Sequence, residues 1–429
     1  MAERLSTLLL IFFSALAARA AYCAFRGELG VSPPTHYREF VIAGSEYVRQ
    51  GRQVCPLMGN GASLAPSSLV PPVYCWIAAC VYRLFGIETF TATLILQLIN
   101  CAAGALTCVL IYLMALELTG PACARGIAIA AVAHPLLLGF SGLIWETSLF
   151  ILASSAALLA SLMLARRPFR ATEYLLFGAY LGCTAMLNPA LTIAYPFLVG
   201  RPLFLRPRRD RRAAVTGTLA ALTGWAVAIT PWTVRNANAF GELFYIRNNF
   251  WHEVWMGVCP EAGTSSGLAF DQQFALRNEE VRMRLETLGE RDFFQESATL
   301  ARAAIQSEPW RYLRLCAARA VDFWIGTVFS HRETPSDWRT VGPVRAAVMY
   351  LLWVELFLLV AGLLIDTRVR WLVCMALLYS ITYSITHVEL RYRAPVEPMI
   401  LLACAVTLNS LALRWRAEPR QALSESGPT

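Results

Sequence analysis

Apolar residues in this chain gather into long runs separated by short polar stretches. About 17 to 25 predominantly apolar residues suffice to cross the hydrocarbon core as a helix. Runs of that order occupy 5–25, 90–118, 124–141, 146–165, 173–187, 189–205, 213–231, 346–365, 371–387 and 394–413. An eleventh, 69–86, opens with Pro71-Pro72 and carries Arg83 near its end. The pattern predicts an all-α polytopic membrane protein with about ten transmembrane helices.

Arginines orient these spans. Arg125, Arg166, Arg167, Arg170, the block Arg201 to Arg212, Arg368, Arg370, Arg414, Arg416 and Arg420 fall on one side only if 69–86 does not cross. That segment is therefore expected as a juxtamembrane or re-entrant helix on the outer face, with both termini cytoplasmic. Within the first span, Ala18-Arg19-Ala20 has the small-x-small form of a cleavage site, but Glu3 beside Arg4 makes a poor signal n-region, so the span is read as retained. The resulting division is 1–231, an N-terminal transmembrane module with outer loop 26–89; 232–345, a mainly helical outer region; 346–413, the C-terminal spans; and 414–429, a cytoplasmic tail.

Within the outer region, 270–306 reads as a helix pair broken at Gly289. After Pro309, Trp310 to Phe329 is amphipathic, with Arg311, Arg314 and Arg319 beside Leu313, Phe323 and Trp324. Such a helix suits either membrane lipid at the interface or packing on the bundle.

Composition agrees. Residues are 57% hydrophobic and 15% charged, with mean hydropathy +0.49, whereas soluble chains carry about 25% charge. This excludes a soluble or disordered protein. The 37 basic residues are all arginine and, against 29 acids, leave a net charge of +8. Topological loops account for most of that excess, so no nucleic-acid partner is expected. All-arginine usage points to a GC-rich bacterial genome and thus to a bacterial inner membrane. Half of the twelve cysteines, among them Cys101, Cys108, Cys183, Cys374 and Cys404, lie in spans as small fillers. Cys55 and Cys259 are outside them, where a bridge would tie the two outer segments together. With no CxxC pair, HExxH helix or histidine cluster, no structural zinc site is expected.

Four polar clusters stand at the outer ends of spans, where an ionisable residue is costly unless it has a partner or a task. They are His36 to Glu39; Trp145-Glu146-Thr147-Ser148; Thr230 to Asn236, leading into Arg247-Asn248-Asn249 and Trp251-His252-Glu253; and His387 to Arg393, followed by Pro395 and Glu397. Carboxylates, arginines and aromatic rings at one face are what holding a phosphate, stacking a sugar and deprotonating a hydroxyl require.

In order along the chain stand Pro71-Pro72-Val73-Tyr74, Arg83-Leu84-Phe85-Gly86, Trp145-Glu146-Thr147-Ser148, Leu187-Asn188-Pro189, Thr230-Pro231-Trp232-Thr233-Val234-Arg235-Asn236 and His387-Val388-Glu389-Leu390-Arg391-Tyr392-Arg393 with Pro395. This series, from about Glu39 to about Pro398, resembles the polytopic GT-C glycosyltransferases of the protein O-mannosyltransferase and lipid A aminoarabinose transferase branch. The resemblance implies transfer of one sugar from a polyprenyl-phosphate carrier to an envelope glycan, lipid or protein at the outer face, usually with inversion. It also implies a catalytic carboxylate in the first outer loop, where the family's usual residue is an aspartate. This loop has none, so either Glu39 replaces it or the chain is a degenerate member.

Glu39, Glu146 and His36 are thus the catalytic candidates. Arg235, Asn236, Arg247, Asn249, His387, Glu389, Arg391, Arg393 and Tyr74 are the substrate-binding ones. Plainer roles stand beside these. His36 suits a surface position, Glu146 a helix cap, Arg235 an interfacial anchor, and Arg391 and Arg393 pairing with Glu389 and Glu397. A divalent cation between two carboxylates stays open, since arginines can take its place. A lipid-linked-sugar flippase is the alternative class, although no internal repeat of the transporter kind is present.

Overall fold

Helix boundaries in this chain follow local chemistry. Thr89 accepts a hydrogen bond from the Ala92 amide at 3.2 Å and opens a 29-residue helix. Asp366 caps through the Arg368 amide at 2.8 Å, and Asn278 through the Glu280 amide at 3.0 Å. Proline at a first helical position opens three more, at Pro72, Pro121 and Pro135.

A computed structural model describes residues 2–33, 38–57, 65–204, 211–264, 267–325 and 342–425. In chain order the helices are α1 (Ala2–Phe25), α2 (Glu39–Gln50), α3 (Pro72–Phe85), α4 (Phe90–Leu118), α5 (Pro121–Ala133), α6 (Pro135–Leu138), α7 (Thr147–Leu164), α8 (Ala171–Ala185), α9 (Tyr195–Phe204), α10 (Arg211–Phe240), α11 (Phe250–Met256), α12 (Gly267–Gln273), α13 (Glu279–Ser307), α14 (Pro309–Ile325), α15 (Gly342–Ile365), α16 (Thr367–Ile385), α17 (Leu390–Arg393) and α18 (Glu397–Glu425). No strand occurs among the described residues; Val54 and Pro66 form an isolated bridge.

Among the described residues, six helical stretches are long and apolar enough to cross a membrane: Glu3–Phe25, Phe90–Leu118, Thr147–Leu164, Arg211–Phe240, Ala347–Ile365 and Leu390–Trp415. The chain is an all-α, polytopic integral membrane protein. Several other expected spans are shorter as helices. The run 124–141 is divided at His134, where the following proline disfavours helical backbone and ψ is 120°. The run 189–205 begins as a 3-10 turn, Pro189–Ala194, before α9. Helix α8 has 15 residues, about 22 Å of rise against a hydrocarbon core of about 30 Å. Helix α3, in the segment expected not to cross, has 14 residues and packs on α2 and α4.

Helix α10 does not stop at Pro231 but continues to Phe240. Trp232, Arg235 and Asn236 therefore stand on a helix, not on an exit loop. Gly289 breaks α13 with φ 77°, in the left-handed region that glycine occupies without strain. Helix α14 packs on the bundle through α15 and α16. Arg311 donates to the Val258 and Cys259 carbonyls at 2.8 and 2.9 Å, and buried Arg319 donates to Gly257 and Gly263. Both arginines bind backbone carbonyls, while Trp310, Leu313 and Val321 remain exposed. Helix α1 runs unbroken through Ala18-Arg19-Ala20, with Arg19 buried across Gly104 of α4. Cys55 and Cys259 are each buried and unbridged.

Lipid offers apolar helices little hydrophobic gain from association, so small residues that admit close backbone contact drive packing. Helices α8 and α10 meet in this way. A Cβ at Gly178 would overlap the Ala221 carbonyl, and one at Gly224 the Leu175 carbonyl. Backbone on both sides leaves no flexible side chain to yield. Gly178→Val is expected to destabilise the protein by about 3 kcal/mol or more, read as a lowered unfolding midpoint in detergent; Gly126→Val, whose Cβ meets open space, should leave that midpoint in place.

Candidate active site

A cavity of about 470 Å³ lies where α2, the start of α7, the Asn188-Pro189 turn, the segment around α11 and α17 converge. Glu39, Glu146, Arg247, Asn249, His387 and Arg391 all line it. Glu39 is the first residue of α2, behind Arg38, which pairs with Glu88. The next residue, Phe40, is buried edge-on between Tyr74, at a centroid distance of 5.3 Å, and Trp145, at 5.0 Å. This packing fixes the start of α2 and hence the Glu39 carboxylate.

Glu146 precedes α7, yet its side chain makes no capping hydrogen bond. Its Oε1 accepts from Asn188 Nδ2 at 3.1 Å. Burial pushes both carboxyls up to about 7. Arg391 and then Arg247 oppose the shift at Glu39, where Glu253 and Glu146 add to it; Arg391 is the main opposing charge at Glu146. Two carboxyls are thereby held near neutrality within the reach of two guanidiniums.

The cations are themselves held. Arg391 Nε lies 2.6 Å from Glu389 Oε2, and its guanidinium sits 4.8 Å from the Trp145 ring centroid and 5.0 Å from that of Tyr392. Arg247 stands 3.5 Å from Glu253, whose Oε1 accepts from Asn249 Nδ2 at 2.6 Å. His387 Nε2 is 3.0 Å from the Tyr392 hydroxyl. Tyr392 stacks on Tyr383 at 4.2 Å. His252, buried, is pushed down to about 4 and is neutral at physiological pH.

Other expected site residues stand elsewhere. Arg235 Nη1 donates to the Ser67 carbonyl at 2.8 Å and its Nη2 to the Gln53 carbonyl at 3.2 Å, while the ring of Trp232 lies under the guanidinium. It fastens the first polar loop to α10 and does not line the cavity. Asn236 is buried and donates to the Ile246 carbonyl. Tyr74 is buried in the core, its hydroxyl accepting from Asn100. Glu389 reaches the cavity only through Arg391. His36 lies outside the described residues.

Arg393 faces the protein core. Residues two apart on a helix point about 200° apart, so Arg391 turns to the cavity while Arg393 turns away. There its Nε meets Glu397 Oε1 at 2.6 Å and its Nη2 meets Glu355 Oε2 at 2.6 Å, with His134 Nε2 2.9 Å from Glu355. Among the described residues His134, Glu355 and Glu397 are the group whose ligand atoms approach closely enough for an ion. Arg393 already supplies the countercharge to both acids, so the group does not fit a divalent cation.

Glu253, Asn188 and Tyr383 line the cavity without having been singled out as site residues. Glu253 carried a usable signal: with Asn249 it forms an i,i+4 pair. Tyr383 lay in an apolar run with nothing to mark it.

The fold and site define a polytopic membrane protein with an acidic, arginine-balanced cavity at its helix ends. No protein-family model matches the chain, and no curated protein matches it. Among solved structures it is similar to ArnT from Cupriavidus metallidurans bound to undecaprenyl phosphate, with 13% identity, 94% of this chain and 77% of that one covered, and a TM-score of 0.41. The apo state of the same protein gives 15%, 95%, 77% and 0.40. The Archaeoglobus fulgidus oligosaccharyltransferase, in complex with zinc and sulfate, gives 13% identity, 90% of this chain, 46% of that one and 0.45.

Proposed function

We propose that the chain is a membrane glycosyltransferase that moves one sugar from a polyprenyl-phosphate carrier to an envelope acceptor at the outer face of a bacterial inner membrane. One observation carries this reading: Glu39 and Glu146, both held near pH 7, share a cavity with Arg391 and Arg247. An acceptor hydroxyl or amine attacks the anomeric carbon and gives its proton to Glu39. The bond from that carbon to the phosphate oxygen breaks, and the oxygen leaves with the electron pair. A single displacement inverts the anomeric centre. Arg391 and Arg247 stabilise the charge on the departing polyprenyl phosphate. Glu146, tied to Asn188, orients the acceptor.

Mass spectrometry of envelope lipids and glycans, with and without the protein, tests the reading. The expected result is a species lighter by one sugar in cells lacking the protein, restored by the wild-type chain but not by Glu39→Gln. Identical envelopes would overturn it. Carrier scrambling in proteoliposomes without sugar release would place the chain among flippases.

A further inference from the structure

Arg247 and Phe250 have a second side. They also line another cavity, of about 570 Å³, bounded by the end of α10, the chain leading into α11, and α13. The transfer chemistry described above makes no use of it.

Its lining is cationic and aromatic. Three arginines face it, Arg247, Arg291 and Arg302, against one acid, Glu242, and that acid accepts from Arg291 at 2.7 Å and from Gln295 at 2.6 Å. The Arg302 guanidinium lies 4.5 Å from the Trp251 ring centroid, and among the described residues no carboxylate pairs with it. Two buried polar atoms on the wall, Arg247 Nε and Asn248 Oδ1, have no hydrogen-bond partner among the described residues. Buried polar atoms are costly to leave unmet, so a polar ligand here has a donor and an acceptor waiting. A guanidinium that is backed by an indole and has no carboxylate partner among the described residues suits the anionic group of a saccharide.

We propose that this cavity is the acceptor subsite and that it takes an anionic saccharide. The carboxylate or phosphate meets Arg302, which the Trp251 ring backs, and the nucleophile is directed past Arg247 toward Glu39. The inference rests on the glycosyltransferase reading for its role, but the binding it predicts is measured without turnover.

The test uses the full chain in phosphatidylcholine nanodiscs, with trigalacturonate and neutral maltotriose as probes in saturation-transfer NMR titrations. Trigalacturonate is expected to bind at least about tenfold more tightly, with Arg302→Gln and Trp251→Leu each removing about tenfold. Both variants should bind polyprenyl phosphate as the wild type does. Arg302 is exposed, so its replacement leaves folding intact. Equal affinity for the two trisaccharides, or unaltered binding in both variants, overturns the proposal. So does loss of trigalacturonate binding when phosphatidylglycerol replaces the neutral lipid, which assigns the cavity to a phospholipid headgroup. An unchanged envelope, in contrast, defeats the transferase reading alone.

Discussion

Under the proposed mechanism, Glu39→Gln is expected to cut sugar transfer sharply while leaving the carrier bound. A positioned general base contributes about 10²- to 10⁴-fold to rate, and glutamine keeps the shape of the side chain while losing its basicity. The turnover number is therefore expected to fall by about 10³-fold, with little change in donor affinity, because the proposal assigns the phosphate to Arg391 and Arg247. Turnover above a tenth of wild type would remove Glu39 from the base role. The pH dependence supplies a second signature. Burial holds the Glu39 carboxyl up at about 7, and Glu146 adds to that shift, so wild-type turnover rises between pH 6 and 8 as the carboxyl loses its proton. Glu146→Gln should move this rise to lower pH. The effect on stability has the opposite sense. A carboxyl whose folded pKa exceeds its unfolded value favours folding when protonated. That contribution is complete below the unfolded value of about 4.3 and is lost as pH rises through about 7. The empty protein is accordingly expected to melt lower at pH 8 than at pH 5.5.

Much of this arrangement was legible from residue order. Apolar runs mark where helices lie, because span length is set by the bilayer and not by tertiary contacts. The break at Gly289 was visible because glycine enters the left-handed region without strain. Glu39, Glu146, Arg247, Asn249, His387 and Arg391 stood out as ionisable or polar groups beside apolar runs, and all six line one cavity. What failed was non-local. Arg235 looks like a free cation in its own neighbourhood, but its carbonyl partners lie 168 and 182 residues away. The His134-Pro135 break was hidden by averaging hydropathy over a run that remains apolar on both sides. Arg391 and Arg393 were grouped by proximity in sequence, whereas helical geometry sends them in opposite directions. Glu355 carried the plainest unused signal, an acid within an apolar span.

That acid motivates the largest expected effect on stability. Glu355, Arg393 and Glu397 are at most 3% exposed, and Arg393 is hydrogen-bonded to both acids. Removing one partner from a buried ionic group costs about 3–5 kcal/mol, because the remaining charge has no solvent. Arg393→Met leaves two carboxylates facing each other and should lower the unfolding midpoint in detergent by on the order of 10 °C, with little folded protein recovered from membranes. Neutralising the acids as well removes the cause. The combination of Arg393→Met, Glu355→Gln and Glu397→Gln is expected to recover most of the lost stability, since a buried ion group often adds little over neutral residues of similar volume. Donor kinetics then separate the two roles open to Arg393. A residue that only holds α15 against α18 leaves donor KM unchanged in the combined variant. A phosphate ligand, even one acting from behind Arg391, would raise it by about tenfold or more. A folded combined variant with such a rise would return Arg393 to the substrate site and require α17 to rotate when the carrier binds.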